Sequence, residues 1–521
     1  MILDRAPSGK ERRYRAKEDR KQRVPARILS LLTIFTGTLY LVWIAQWMNP
    51  DHPVMSGAFI GAEVLCLLLF ILASAGSWEA RFKPPEGLET LDPPPEVDIL
   101  VTAAGEQPAI IKKTLEAVED IDYPHKISAV LDDGADPEVR KLAREYSAHY
   151  YSRREEGLSQ ENAKAGNLNF GLSRTSAPFI LTLDADQVPD SKILRALIGY
   201  MRFPELAFIQ SRQVFLAPAN DPFFANDQML FDPVLTSFDS ANTVISCGSG
   251  VLYRRKALAS IGGFVEWNLV EDLTTAYELH AHGWKSFFFP HGLVTGTAPN
   301  TLGGVAQQRG QWCMDAMRLM FWDNPLFKKG LSLGQRAAYS LIGLSYFCSA
   351  FVFPFLFCIP LWTYLQGDFV VSAPTVAFGM IRLGYLVFML LAIYFFYSDG
   401  KPHKQYQIFV GLFPMYIWST IKALFSPPGH KASYKVNPKK PQAGRVNWSD
   451  FPLILPQLSL ILAHALIPYW AITRETAQPK YILVNLFVSA VAIWSLWQIA
   501  FAYFAPQYWE RGQNPEEFYG L

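Results

Sequence analysis

The chain has 521 residues, 47 Lys and Arg against 46 Asp and Glu, and half of its residues are hydrophobic. That length exceeds one ordinary domain. A net charge of +1 favours no class of charged partner, and no nucleic-acid-binding motif is present. Five cysteines (Cys66, Cys247, Cys313, Cys348, Cys358) are an odd number without CxxC spacing, which argues against structural zinc and a disulfide framework. Charge is unevenly placed. Residues 5–27 are strongly basic, 28–76 almost uncharged, 77–330 composed like a soluble domain, and apolar runs return after 337. This pattern fits a membrane protein with one large aqueous domain.

Residues 1–27, with Arg12, Arg13, Arg15, Lys17, Arg20, Lys21, Arg23 and Arg27, form a basic N-terminus expected to stay cytoplasmic. Residues 28–76 hold two transmembrane helices, in runs at 28–48 and 54–76. Each is near the ~20 residues a crossing needs. The first is too long for a signal peptide and lacks a small-residue cleavage site. The aqueous domain, 77–330, is entered through a Pro-rich linker at 84–95. Strands are expected at 97–101, 127–131 and 178–183, and helices at 108–119, 136–148 and 273–282. Strands alternating with helices predict a mainly parallel, doubly covered sheet.

Apolar runs follow at 337–362, 372–397, 406–425, 451–472 and 481–505. The run at 406–425 has basic flanks on both sides, so a crossing there would leave one flank outside. It is expected to lie in the membrane interface, with Lys422, Gln405, Gln407 and Ser419 toward headgroups. Residues 331–425 then hold two transmembrane helices and this interfacial helix. Residues 426–446 form a loop, and 447–521 two more transmembrane helices and a short cytoplasmic tail. The expected total is six crossings.

Leu181-Thr182-Leu183 runs into Asp184-Ala185-Asp186. A strand ending in Asp-x-Asp puts two carboxylates at the mouth of a sheet, and hard oxygen ligands suit Mg2+ or Mn2+ beside a diphosphate. Three more clusters stand in order: Asp132-Asp133, Glu271-Asp272 and Gln308-Arg309-Gly310-Gln311-Trp312, with thirty-five residues between Asp272 and Gln308. An acidic pair opening a helix is often only a dipole partner. His280 and His282, two apart on a helix, face different ways and read as ordinary helix residues.

Lys164-Ala165-Gly166-Asn167-Leu168-Asn169, Cys247-Gly248-Ser249 and Tyr434-Lys435-Val436-Asn437-Pro438-Lys439 complete the set. In this order the seven motifs resemble the processive family 2 glycosyltransferases, the bacterial cellulose synthases most closely, whose scheme hyaluronan and chitin synthases share. The last three stretches are similar to the family's KAGNLN, FCGS and FxVTxK gating loop. The resemblance covers roughly residues 97–440.

The resemblance implies an α/β cytoplasmic GT-A domain inserted among about six transmembrane helices plus interfacial helices. It implies that Asp132, with Asp133, holds the uracil and ribose of a UDP-sugar, and that Asp184 continues the nucleotide contact. Asp186 would hold Mg2+ or Mn2+ on the diphosphate. Lys164 would bind the diphosphate, with Gln308, Arg309 and Gln311 also on the donor. Asp272 is the implied general base, beside Glu271. Trp312, Cys247 and Gly248 fall on the acceptor side, and Tyr434, Lys435, Val436, Asn437 and Lys439 in the gating loop. The implied activity is an inverting, processive synthesis of a β-glycan, a β-glucan from UDP-glucose first, with translocation across the plasma (bacterial inner) membrane. The implied partners are the donor, the growing polysaccharide and the lipid membrane, with an export subunit left open.

Several positions depart from the family pattern. Val270 stands where the family has Thr before Glu-Asp, Gln311 replaces a diphosphate-facing arginine, Asn437 replaces a threonine, and Ala104 replaces an aromatic near uracil. No cyclic-di-GMP-binding PilZ domain is expected after residue 505. Two other readings stay open. A non-processive transferase onto a lipid carrier needs neither Trp312 nor a gating loop. A degenerate, inactive membrane protein would account for Gln311. The sugar and its linkage stay open.

Overall fold

The computed structural model describes residues 9–78, 91–217, 221–224, 227, 229–268, 270–299, 301–397, 401–429, 446–475 and 478–506. α1 (Gly9–Ile44) and α2 (Pro53–Gly76) form the first helical pair. Arg23 Nη1 donates to the Ser77 carbonyl at 3.0 Å, and Arg27 donates to the Trp78 carbonyl at 3.0 and 2.6 Å. Basic residues of α1 thus close carbonyls left open at the end of α2.

The aqueous domain follows as β1 (Val97–Ala103), α3 (Pro108–Glu119), β2 (Lys126–Asp132), α4 (Pro137–Glu145), β3 (His149–Tyr151), α5 (Ala163–Arg174) and β4 (Phe179–Asp184). It continues through β5 (Val188–Pro189), α6 (Ile193–Leu197), β6 (Leu206–Leu216), α7 (Leu235–Ser240), β7 (Val251–Arg254), α8 (Arg255–Ser260), α9 (Glu271–Ala281) and β8 (Lys285–Thr297). One eight-stranded sheet has the order β3-β2-β1-β4-β7-β6-β8-β5. β3, β2, β1 and β4 run parallel, as the alternation of strands and helices requires. Beyond them the sheet is mixed. β7 is antiparallel to β4 and β6, β8 is parallel to β6, and β5 is antiparallel to β8.

Every residue of β1 is buried, which is the pattern of a strand covered on both faces. The one charge inside it, Asp98, accepts from Arg255 Nη2 at 2.7 Å and from the Ala177 amide at 2.8 Å. The carboxyl ends of β1, β2 and β4 share one edge, where an open α/β sheet binds its ligands.

α10 (Leu302–Trp322) leads back to the membrane helices. They are α11 (Leu333–Phe347), α12 (Phe353–Gln366), α13 (Thr375–Tyr397), α14 (Pro402–Gly411), α15 (Phe413–Leu424), α16 (Phe451–Thr473) and α17 (Pro479–Phe504). Among the described residues six helical segments are long and apolar enough to cross a membrane: Arg23–Trp47, Pro53–Gly76, Leu333–Gln366, Thr375–Tyr397, Trp448–Thr473 and Pro479–Phe504. α11 and α12 act as one of these, joined by a π turn at Cys348–Val352. The 406–425 run is divided between α14 and α15, helices of 10 and 12 residues, too short to cross. Two of its polar residues do not face headgroups as expected. Gln407 is buried and donates to the Trp494 carbonyl at 2.7 Å, and Ser419 is buried too. Packed against α17, Gln407 finds a backbone carbonyl in place of a headgroup. Lys422 stays exposed over the Trp418 ring.

Candidate active site

Lys164 lies in the first turn of α5, and Glu271 and Asp272 open α9. The fold brings these helix ends to the mouth of β4. Lys164 Nζ is 2.6 Å from Asp184 Oδ1 and 3.2 Å from Glu271 Oε1, and it donates to the Gly248 carbonyl at 3.1 Å. Gly248 has φ +79, and a Cβ there would lie 2.7 Å from Lys164 Nζ and 3.3 Å from Asp272 Oδ2. Only glycine lets this loop sit on the charges.

Burial alone would lower the Lys164 ammonium, but Asp184 and Glu271 outweigh it and hold it well above the usual lysine range. Burial, and then the charge of Glu271, push the Asp272 carboxyl up to about 7, against Lys164 and a 2.6 Å hydrogen bond from the Leu273 amide. A carboxylate with such a pKa is matched to taking a proton near neutral pH.

At the carboxyl end of β2 the two aspartates differ in their partners. Asp132 is 1% exposed; it accepts from the amides of Gly134 at 2.8 Å and Asp136 at 2.9 Å, and from the Tyr150 hydroxyl at 2.9 Å. It builds the turn and does not reach the cavity wall. Asp133 does reach it, gripped by Arg153 at 2.9 and 2.5 Å. Arg153 has room because Gly166 has no side chain; a Cβ there would lie 2.5 Å from its Nη1.

Asp184 and Asp186 line the same wall, with Glu106 beside them. Burial pushes the Glu106 carboxyl above its usual range, and Asp186 and Asp184 add to this against a 2.6 Å hydrogen bond from the Ala104 amide. Among the described residues no three His, Cys, Asp or Glu side chains gather to hold an ion unaided. The donor set still fits Mg2+ or Mn2+, since such ions take one or two carboxylates and complete their shell with phosphate oxygens and water.

The opposite side of the cavity rests on α10, whose first turn Thr301 caps by accepting from the Gly304 amide at 2.9 Å. Gln308, Arg309, Gln311 and Trp312 all face the cavity. Arg309 is ion-paired to buried Asp227, and its guanidinium lies 4.8 Å from the Trp312 ring centroid. The Cys247–Ser249 loop is suspended from β6. The Cys247 amide donates to Gln210 Oε1 at 2.6 Å, Gln213 Nε2 donates to the Ser249 carbonyl at 2.7 Å, and Ser249 Oγ accepts from the Asp184 amide at 3.0 Å. Burial raises the Cys247 thiol well above its usual range, so it stays neutral. His280 is a core residue between the Tyr339 hydroxyl and Ser286 Oγ, and burial lowers it to about 3.

Sequence reasoning missed Glu106, Arg153, Gln210, Gln213, Asp227 and Arg318. The glutamines had a signal: they open and close a polar run, Gln210–Gln213, set between apolar residues. Arg318 had none; it is fully buried and donates to the carbonyls of Ser426 at 3.0 Å and Pro427 at 3.2 Å and to Asn268 at 3.3 Å. It ties the chain just after α15 to the approach of α9. Tyr434, Lys435, Val436, Asn437 and Lys439 lie outside the described residues.

The Asp133–Asp186 edge, Asp272 and the α10 shelf open onto one cavity of about 1630 Å³, which continues between the membrane helices past Tyr346, Tyr406 and Asn485.

Residues 93–315 match the family model described as glycosyltransferase like family 2, and residues 259–397 match the cellulose synthase model. The chain is 29% identical over 345 residues to the cellulose synthase catalytic subunit [UDP-forming] of Komagataeibacter sucrofermentans, covering 63% of this chain and 45% of that protein. It is 26% identical over 426 residues to the cellulose synthase 1 catalytic subunit [UDP-forming] of Komagataeibacter xylinus, covering 78% and 55%. It is 30% identical over 357 residues to cellulose synthase 1 of Novacetimonas hansenii, covering 65% and 22%. The chain therefore spans from about a fifth to about half the length of these curated relatives. Among solved structures it is similar to a mannosyltransferase of Pyrobaculum calidifontis in complex with GDP-Man and Mn2+, with a TM-score of 0.49, 15% identity, and coverage of 67% of this chain and 98% of that one. The aqueous domain has the GT-A fold, with a mixed sheet.

Proposed function

We propose, for a chain that carries a family 2-like glycosyltransferase domain over residues 93–315 and a cellulose synthase domain over 259–397, that it is an inverting, processive β-glycan synthase. It uses a UDP-sugar, UDP-glucose first, and passes the product through its own membrane helices. One observation carries the reading. Asp272, with its carboxyl raised to about 7, shares a cavity with the Lys164–Asp184 pair and with Trp312, and that cavity continues into the membrane region.

The chemistry follows from these places. A hydroxyl of the growing chain, held on the Trp312 face, gives its proton to Asp272 while its oxygen attacks the anomeric carbon. The bond from that carbon to the diphosphate oxygen breaks, and UDP leaves toward Lys164. Asp133 is the carboxylate placed for the nucleoside, with Asp132 shaping its turn. Asp186, with Asp184, would hold a divalent ion, which would supply positive charge to the diphosphate. Gln308 and Gln311 offer amide hydrogen bonds at the same wall. The gating loop, Tyr434–Lys439, would close over the donor. The basic first helix, anchored by Arg23 and Arg27 on the side of the aqueous domain, supports a cytoplasmic catalytic domain in the bacterial inner membrane.

The test is to incubate the purified protein with UDP-glucose and Mg2+ or Mn2+, then digest the product with linkage-specific glycanases. Water-insoluble polymer cut by one glycanase class, with stoichiometric UDP release, is expected. Product that extracts into organic solvent would assign a lipid acceptor, and no UDP release from any UDP-sugar would assign an inactive protein.

A further inference from the structure

α13 and α17 are both long and apolar enough to cross a membrane, and each finds its partners away from the other. On α13, Tyr385 stacks on Tyr40 of α1 at 5.7 Å, and the Tyr397 hydroxyl donates to the Ala73 carbonyl of α2 at 3.2 Å. On α17, Trp494 stacks on Tyr406 of α14 at 6.1 Å, and Ser489 Oγ lies 3.1 Å from His464 Nδ1 of α16. Two apolar stripes run between them. Leu383, Val387, Leu390 and Tyr394 follow the i, i+4, i+7, i+11 spacing of one helix face. Phe487, Val491 and Trp494 follow the same spacing on α17. All seven side chains line the cavity. All but Val491 are also exposed, Leu390 at 61% and Phe487 at 63%. Side chains that line a cavity and face outward at bilayer depth are the lips of a lateral slot.

The slot has two unlike ends. At the end remote from the catalytic domain, the rings of Phe378 and Tyr481 close on Phe369 at 5.3 and 5.6 Å. At the other end, Lys401 and His403 line the same cavity, and both are exposed. His403 stands one turn before Tyr406, the residue that stacks on Trp494. Neither Lys401 nor His403 is ion-paired among the described residues. The Lys401 ammonium lies 5.4 Å from the Phe224 ring centroid. From Leu383 to Tyr394 the lip runs about 16 Å, at 1.5 Å per residue. Aliphatic lips suit hydrocarbon rather than a hydroxylated chain, and a lysine at the membrane surface suits a negative headgroup.

We propose that the slot between α13 and α17 holds an anionic phospholipid, with one tail between the stripes and its phosphate at Lys401 and His403. The lipid comes from the leaflet on the side of the catalytic domain. It completes a wall that the protein leaves open, and so separates the cavity from the bilayer interior. It is seated there whether or not the chain makes a polymer.

The experiment uses the full chain in phosphatidylcholine proteoliposomes. One set carries a phosphatidylglycerol with a photoactivatable diazirine on one tail, and the other a phosphatidylcholine with the same tail. After illumination, lipid adducts are mapped on the peptides by mass spectrometry. Adducts are expected on residues 383–394 and 487–494, about fivefold more from phosphatidylglycerol, the preference that one lysine near an anionic surface confers. Lys401→Gln is expected to bring the two lipids level. Val387→Trp, with Lys401 intact, fills the slot and is expected to remove the adducts on 487–494 at unchanged Tm, since position 387 is already exposed. It decides alone if Lys401→Gln is unstable. Equal yields from the two lipids in the wild type, or adducts spread evenly over the outward faces of all the crossing helices, would overturn the site. A Leu390→Cys variant that oxidises to a dimer the wild type does not form would assign the lips to a second copy of the chain, and would overturn it too.

Discussion

The two walls of the catalytic cavity handle charge in opposite ways. On the donor wall one ammonium, Lys164, is shared among Asp184, Glu271 and Asp272, with Glu106 and Asp186 close by. On the acceptor wall one guanidinium, Arg309, is matched by one carboxylate, Asp227, and stacks on Trp312. The first wall carries an excess of negative charge, which adds to burial in raising the carboxyls of Asp272 and Glu106. The second is neutral within itself and spends its charges on holding a ring in place. A wall with unbalanced charge is suited to a ligand that brings cations and leaves as an anion. A balanced wall is suited to a neutral sugar that must bind and slide.

Asp272→Asn breaks this contrast most sharply, since it removes both a charge and the proposed base. Turnover should fall by about 10²–10⁴, the range for a positioned acid or base, while UDP binding persists. Stability should move the other way. A carboxyl whose folded pKa is raised to about 7 favours folding below its unfolded value and loses that contribution as pH rises through 7. Calorimetry at pH 8 should therefore find Asp272→Asn at least as stable as wild type. A variant that polymerises at wild-type rate would remove Asp272 from the base role.

Lys164→Ala is next, and it deepens the imbalance. UDP release should slow by ~10-fold or more, about 1.4 kcal/mol in the transition state. With its nearest cation gone, the carboxyl of Asp272 should titrate still higher, which a shift of the kcat/KM profile to higher pH would register. A profile that does not move would mean that Lys164 and Asp272 do not feel one another.

How much of this was legible in the residues follows the same division. β1, β2, β4 and the helices α3 and α4 follow from apolar runs alternating with amphipathic ones, and Asp184-Ala185-Asp186 marks the strand end directly; β3 and α5 were not read. β6 and β8 were not legible. β6 interrupts its apolar run with Gln210, Ser211, Arg212 and Gln213, and β8 contains Pro290 and Gly292, which read as a turn. The structure admits them at an irregularity, where the register passes from Ser211–Phe289 to Arg212–Gly292 and leaves Pro290 and His291 out of the pairing. Proline is tolerated in a strand at such a bulge. The Asp132–Asp133 division was hidden for another reason. Adjacent aspartates look alike in sequence, and only the turn decides which carboxylate its amides consume.

The pH profile of the wild type sharpens the donor side further. Asp272 acts deprotonated, so kcat/KM should rise with pH, level off above about 7, and fall about tenfold per pH unit below that value, because this ratio reports the free enzyme. An acid limb centred near 4, where an unperturbed aspartate titrates, would mean that neither burial nor Glu271 acts on the base.

The smallest effect is expected from Gln311→Arg, and it probes the border between the walls. A departing diphosphate needs positive charge, and a glutamine amide offers only a neutral hydrogen bond, about half as strong as a charge-assisted one. Arg309 cannot make up the difference while it is paired to Asp227 and stacked on Trp312. On the proposed reading the charge would come from Lys164, from an ion held by Asp186, or from Lys435 or Lys439. If those cations suffice, a new arginine adds little. The rate should therefore stay within about twofold of wild type, well under the 1.4 kcal/mol of a tenfold change. A wild type that is silent and gains activity with Gln311→Arg would reverse the argument. The donor wall would then be short of one specific cation, and the protein would be a synthase disabled by that single exchange.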